Sequence, residues 1–244
     1  MGIKGEAPLN PAYTGPREDV LRLVPVSART VLDVGCSVGH LGSLIKSRQD
    51  AHVEGIEFDS EMAAIAAQRL DFVSSVDLDH VGALDSLTGR SFDCIVLADV
   101  LEHLRDPWGV LRAVSRQLNG GGTVVISLPN VGHYSTIASL LFRARWPYRS
   151  RGIHDRTHLR FFGLANLGPL LEGAGLEIVQ LVRTFRLVER PHRLNRFSHL
   201  FAVPGLRNLF TFQFLIVGRQ IDVVDRSPAS STAQVAAYVD RASQ

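Results

Sequence analysis

The chain predicts an open α/β fold, a mostly parallel sheet with helices on its faces, and three observations carry that prediction. Thr30-Val31-Leu32-Asp33-Val34 is a short apolar, β-branched run that reads as a buried strand. Gly35 and Gly39 follow it, and an amphipathic run with Leu41, Leu44 and Ile45 comes next, so a strand, a turn and a helix stand in series. Similar apolar runs recur as far as residue 217, separated by helical patterns. At 244 residues and 45% apolar content the chain can bury one full core.

In chain order, residues 1–12 read as a loose arm. Thr14 or Gly15 can cap a first helix with Pro16 in its first turn, with Val20, Leu21 and Val24 as its apolar face and Pro25 as its stop. The first strand and its turn come next. In open sheets of this kind ligands bind beyond the carboxyl ends of the strands. A dinucleotide turn needs glycine at i, i+2 and i+5, but from Gly35 those places hold Ser37 and His40. A phosphate loop ending in Gly-Lys-Ser/Thr is also absent. Asp33 puts a carboxylate just before the turn, which suits a cation better than a pyrophosphate. A nucleoside cofactor with cations and no phosphate is S-adenosylmethionine. Ala51 to Glu57 reads as the second strand, and Glu57 ends it about twenty residues after the glycines, the spacing of an acid that accepts from ribose hydroxyls.

VLDVGCSVGHLG, Val31 to Gly42, and GIEFDSEM, Gly55 to Met62, resemble the first two motifs of the class I S-adenosylmethionine-dependent methyltransferases. The departure is Ser37, where the family usually has a second glycine. The resemblance implies a Rossmann-like, doubly wound, mostly parallel seven-stranded sheet with one reversed strand. It also implies that the leading helix covers the cofactor pocket, which would bring Tyr13 toward the acceptor, with ordinary packing as the alternative. The implied cofactor contacts are Asp33, Gly35, Cys36, Ser37, Gly39, Glu57, Phe58, Asp77, Leu78, Ala98 and Asp99.

The later elements follow in order. Ser60 can cap a helix running to Leu70. Val73 to Leu78 reads as a third strand ending near Asp77, where similar enzymes place an acid against the adenine amino group; Asp79 and Asp85 compete for that role. Ser91 to Asp99 is the clearest central strand. Asp106-Pro107 starts a helix with Val110, Leu111 and Val114 on one face, which stops at Asn119-Gly120; Gly121-Gly122 then lead into a fifth strand, Thr123 to Leu128. Leu164 to Ala174 is a helix, and Leu176 to Val182 and Thr211 to Val217 complete the sheet. The domain is expected over residues 1–225, with cover segments at 131–162 and 186–210 and a flexible tail at 226–244 that has room for a short helix near Val235 to Val239.

The chemistry beyond the cofactor concentrates at the carboxyl edge. DVLEHL brings Glu102 and His103 there. Residues 129–160 hold His133, Tyr134, Trp146, Tyr148, His154 and His158 with six arginines, a mixture that suits sugars, phosphates or flat polar groups. RWPYRSRGIHDRTHLRFF resembles a bacterial methyltransferase subgroup often associated with glycan assembly. The expected reaction is therefore O-methylation of a sugar, glycan or glycosylated small molecule. The alternatives are N-methylation of a small molecule and a non-catalytic module that regulates a partner enzyme. The expected acceptor contacts are Tyr13, Glu102, His133, Tyr134, Trp146 and Arg156. For the base, His158 comes first, oriented by Asp155 or His154, and His103 is the alternative. His154 and His158 are four apart but lack a third ligand, so no metal is expected.

Charge is divided along the chain. Residues 1–130 hold 11 Lys and Arg against 17 acids, while residues 131–207 hold 12 Arg against 4 acids. An anionic acceptor or surface near the second half would use that excess, although solvated arginines on helix faces explain it equally well. The overall net charge of +2 gives no global pull toward nucleic acid. Two cysteines without metal spacing and the absence of a leader pattern fit a cytoplasmic enzyme. No apolar run spans a membrane. The basic and apolar stretch at 189–210 is compatible with a substrate flap, a homodimer face, peripheral membrane contact or plain packing.

Overall fold

The computed structural model describes residues 15–189 and 192–221. Tyr13, Thr14, the arm at 1–12 and the tail at 226–244, with the short helix expected near Val235 to Val239, lie outside the described residues.

Seven strands form one sheet: β1 (Thr30–Val34), β2 (His52–Glu57), β3 (Phe72–Ser75), β4 (Phe92–Ala98), β5 (Leu118–Pro129), β6 (Leu176–Phe185) and β7 (Thr211–Gln220). Their order is β3-β2-β1-β4-β5-β7-β6. β1 to β5 pair in parallel, and β7 runs antiparallel between β5 and β6. The chain reverses direction across the sheet at the β1–β4 junction, the crevice where such folds bind ligands.

Alternation along the strands sends successive side chains to opposite faces. Val31, Cys94 and Val96 face a core built with α1 (Glu18–Leu21), α2 (His40–Arg48) and α3 (Ser60–Ala66), through Val20, Ile45 and Ala66. Leu32, Ile95 and Leu97 face the other way, onto Leu111 and Val114 of α4 (Pro107–Ser115) and Leu167 and Leu171 of α6 (Leu164–Glu172). Burying each of these aliphatic side chains contributes about 1.5–3 kcal/mol. Asp33 has the parity of Val31, so a carboxylate stands where the period calls for an apolar residue.

Several boundaries shift from those the sequence predicts. Arg17, not Thr14 or Gly15, is the residue before α1, and its side chain does not cap the helix. Asp59 caps α3 in place of Ser60, accepting from the amides of Glu61 and Met62. β3 ends at Ser75, so Asp77 lies in the loop beyond it. α4 stops at Ser115, and β5 begins at Leu118, taking Gly121 and Gly122 into the strand. The cover contains a helix the sequence did not announce, α5 (Tyr134–Arg143), while α7 (Arg207–Phe210) is a single turn. No helix among the described residues is long and apolar enough to cross a membrane.

Candidate active site

The carboxyl ends of β1, β2 and β4 open into a cavity of 1460 Å³. Its floor is the turn after β1. Gly35 has φ +71°, and a Cβ there would lie 2.5 Å from Val100 Cγ2, so glycine is needed for both conformation and space. Ser37 adopts φ 50°, a left-handed conformation that costs a non-glycine residue about 1–2 kcal/mol. Glu57 offsets this by clamping the turn: its carboxylate accepts from Ser37 N at 2.8 Å and Asp59 N at 2.9 Å.

Asp33 is buried, and its Oδ2 has no hydrogen-bond partner among the described residues. Burial first, and then the Glu57 charge, push its carboxyl up to about 7. A buried carboxyl oxygen without a donor is costly, and a cation placed beside it would remove that cost.

Asp99, at φ 57°, forms the opposite wall of the cavity. Arg17 forms an ion pair with it, and Ser127 Oγ donates to its Oδ1 at 2.7 Å, with Gln213 also donating. None of these three partners was foreseen. Arg17 precedes a helix whose start was misplaced, and Ser127 and Gln213 come from β5 and β7, far away in sequence.

Ten of the eleven expected cofactor residues line this cavity: Asp33, Gly35, Cys36, Ser37, Glu57, Phe58, Asp77, Leu78, Ala98 and Asp99. Gly39 is the exception. It caps α2 at φ 78° and lets α3 approach, since a Cβ there would lie 3.2 Å from Ala66 Cα. Asp77 accepts from Asp79 N at 2.9 Å, whereas Asp79 is held by the amide of Arg105 at 2.9 Å.

On the acceptor side, Glu102, His103, Asp155 and His158 line the cavity together. The two imidazole rings meet edge to face, with centroids 4.7 Å apart. Ile153 O accepts from His158 Nδ1 at 3.2 Å, which fixes the proton on Nδ1 and leaves Nε2 as a lone pair, 4.0 Å from Glu102 Oε1. Thr157 Oγ1 donates to Asp155 Oδ1 at 2.8 Å, so it accepts from His103 Nδ1 at 3.1 Å, and His103 Nε2 is likewise a lone pair. Burial lowers both histidines, and the neighbouring His103 lowers His158 further. Burial and the Asp99 charge hold the Glu102 carboxyl well above its usual range. Glu102, His103 and His158 each bring one donor atom within 4.8 Å of the others, a grouping with the dimensions of a metal site that the expectation of no metal did not include.

Other expected acceptor residues lie elsewhere. His154 is fully buried, with Nε2 2.9 Å from Thr136 Oγ1 and Nδ1 3.0 Å from Glu189 Oε1, so it ties α5 to the strap after β6 and does not line the cavity. His133 caps α5 and donates from Nε2 to Arg186 O at 2.8 Å. Tyr134 donates to Leu187 O. Trp146 packs edge-on against His154 and Phe161, and Arg156 is exposed away from the cavity. His133, Tyr134, Trp146 and His154 share a segment with the site, but their hydrogen bonds and ring contacts are made within the cover. Arg149 and Arg151, from the run RWPYRSRGIHDRTHLRFF, reach the cavity instead, together with Arg186, which no motif marked.

A family model described as a methyltransferase domain matches residues 12–181. Among similar proteins, the ubiquinone biosynthesis O-methyltransferase of Thiobacillus denitrificans is 30% identical over 176 residues, covering 70% of this chain and 74% of the relative. The enzyme of the same name from Pseudomonas paraeruginosa is 30% identical over 165 residues, covering 64% of this chain and 68% of the relative. In three dimensions the chain is similar to a SAM-dependent methyltransferase from Archaeoglobus fulgidus, with a TM-score of 0.60 and 19% identity over 86% of this chain and 97% of that one, a likeness of fold.

Proposed function

This chain belongs to the class I S-adenosylmethionine-dependent methyltransferases, and from that membership we propose that it methylates a hydroxyl oxygen of an anionic small molecule, with His103 as the base. Its residues fit the cofactor. The Asp33 Oδ2, without a hydrogen-bond partner among the described residues, suits an ammonium group, the turn that Gly35 allows against Val100 lines the cavity, and we assign Glu57 and Asp77, which line it too, to the ribose and the adenine. Bound there, S-adenosylmethionine supplies a methyl group that already carries its leaving group.

The chain's own part is to position the acceptor and take its proton. The observation that carries the reading is the relay Asp155–Thr157–His103, which leaves the Nε2 of a cavity-lining histidine as a lone pair. His158 offers a second lone pair beside it. Arg149, Arg151 and Arg186 favour an acceptor with negative charge. The sugar expectation loses its support. The aromatic side chains that motivated it, Tyr134 and Trp146, lie outside this cavity, and the relatives' names refer to ubiquinone biosynthesis. A hydroxyl acceptor accords with those names.

The test is methyl transfer from labelled S-adenosylmethionine to a panel of hydroxylated carboxylates and phosphates, set against their amine analogues. Label on a hydroxyl, lost in His103→Ala while cofactor binding persists, is the expected result; label on the amines alone would overturn the proposal. The donor grouping of Glu102, His103 and His158 favours a second reading, a divalent cation that acidifies the hydroxyl. Turnover that survives chelation keeps the proton-transfer reading, and turnover restored only by added Mg²⁺ or Zn²⁺ replaces it.

A further inference from the structure

The cover carries a second surface that methyl transfer does not use. Over residues 131–171 and 178–210 the only carboxylate side chains among the described residues are Asp155 and Glu189, and both are buried. The charge this face shows to solvent is therefore that of arginines, among them Arg143, Arg145, Arg193 and Arg196. Large apolar side chains stand between them. On α5, Leu141 is 71% and Phe142 79% exposed, with Ile137 and Leu140 alongside; in the 3₁₀ segment Arg193–Phe201, Leu200 is 63% exposed, with Leu194 and Phe197 nearby. The two stretches flank one strap. Tyr134 of α5 bonds Leu187 O, while Asn195 of the 3₁₀ segment accepts from Leu187 N at 3.0 Å and Val188 N at 2.8 Å. A solvent-facing apolar patch of this kind marks an interaction surface.

At the foot of α5 lies a separate cavity of 560 Å³, lined by Arg143, Arg145, Trp146 and Tyr148. The Trp146 indole N–H is buried there without a partner among the described residues. Arg149 lines both this cavity and the active one.

We propose that this face docks on an anionic lipid bilayer, with Leu141, Phe142 and Leu200 entering the interface and the Arg143/Arg145 slot receiving a headgroup phosphate. Charge selects this occupant. A second copy would bring the same arginines against themselves, and a nucleic acid would leave the apolar side chains in water. A bilayer with anionic headgroups over hydrocarbon matches both components at once.

The test is co-sedimentation of the full chain with vesicles of phosphatidylglycerol in phosphatidylcholine, and with phosphatidylcholine alone. Binding to the anionic vesicles that weakens as salt is raised is expected. Leu141→Asp with Phe142→Asp should abolish it, and Arg143→Glu with Arg145→Glu should weaken it by about tenfold or more. S-adenosylmethionine binding, measured in parallel, reports that each variant is folded, and Leu200→Asp probes the second stretch independently. No sedimentation with anionic vesicles, equal binding to neutral ones, or folded variants that bind like the parent would overturn the proposal. A dimer dissolved by the Leu141 and Phe142 changes would overturn it too, assigning the face to a second copy.

Discussion

On the cofactor side of the cavity, polar groups stand at or near the ends of parallel strands and line the open space: Asp33 one residue before the end of β1, Glu57 at the end of β2, Asp99 just past β4. On the acceptor side, Glu102 and His103 follow β4, but the other polar groups lie in a long segment without strands, and most of those are consumed in holding that segment together. His133, Tyr134 and His154 all bond within the cover, while only His103, Asp155 and His158 of the expected catalytic groups reach the cavity. The contrast shows that strand-end position commits a side chain to a ligand site, whereas residue type in a loop does not. A buried polar side chain in a loop must find a partner within the protein, and satisfying that need outranks any role toward a ligand.

The sharpest way to break this comparison is at the acceptor side. His103→Ala should lower turnover about 10²–10⁴-fold with cofactor affinity nearly unchanged. Burial lowers the histidine, so the acid limb of the pH–rate profile should fall below the ordinary value near 6.5. Thr157→Val should move that limb, because it removes the link to Asp155 while leaving the imidazole in place. A His103→Ala enzyme with parental turnover would transfer the role to His158.

On the cofactor side, Asp33→Asn should weaken S-adenosylmethionine binding by about 1.5–3 kcal/mol in titration calorimetry. The sign of the pH dependence follows from the raised carboxyl. Below about 7 the unliganded protein holds a proton on Asp33 that a cationic ligand must displace, so affinity should rise with pH toward 7 and then level. The same proton is held by the folded state and not by the unfolded chain between about pH 4 and 7, so this group contributes a loss of stability as pH rises through that window. The asparagine variant should bind with no such slope.

A smaller effect tests the claim that cover histidines are structural. His154→Ala should cost about 1–3 kcal/mol of stability in denaturant unfolding, because Thr136 and Glu189 lose a buried polar partner. Turnover of the remaining folded enzyme should be nearly unchanged; a large fall in turnover would return His154 to the site. The smallest expected effect is Ser37→Gly, which relieves the left-handed strain at φ 50° and should stabilise the turn by about 0.5–1 kcal/mol in thermal unfolding, the relief being offset by glycine's chain entropy.

The sequence by itself determined the sheet and the cofactor edge. Period-two burial, glycines at positive φ and an acid closing β1 and β2 are local features, and they place Asp33, Gly35 and Glu57 without knowledge of any distant contact. Tertiary structure alone decided which members of the later histidine and arginine cluster serve the cavity. His154 and His158 are four residues apart in one loop; one is captured by Thr136 and Glu189, and the other is turned toward Glu102 by the Ile153 carbonyl. Likewise Arg17, Ser127 and Gln213 converge on Asp99 from the residue before α1 and from two strands distant in sequence. Periodicity reports the face on which a side chain emerges from a regular element. In a loop there is no such period, and the direction is set by partners that only the folded chain brings within hydrogen-bonding distance.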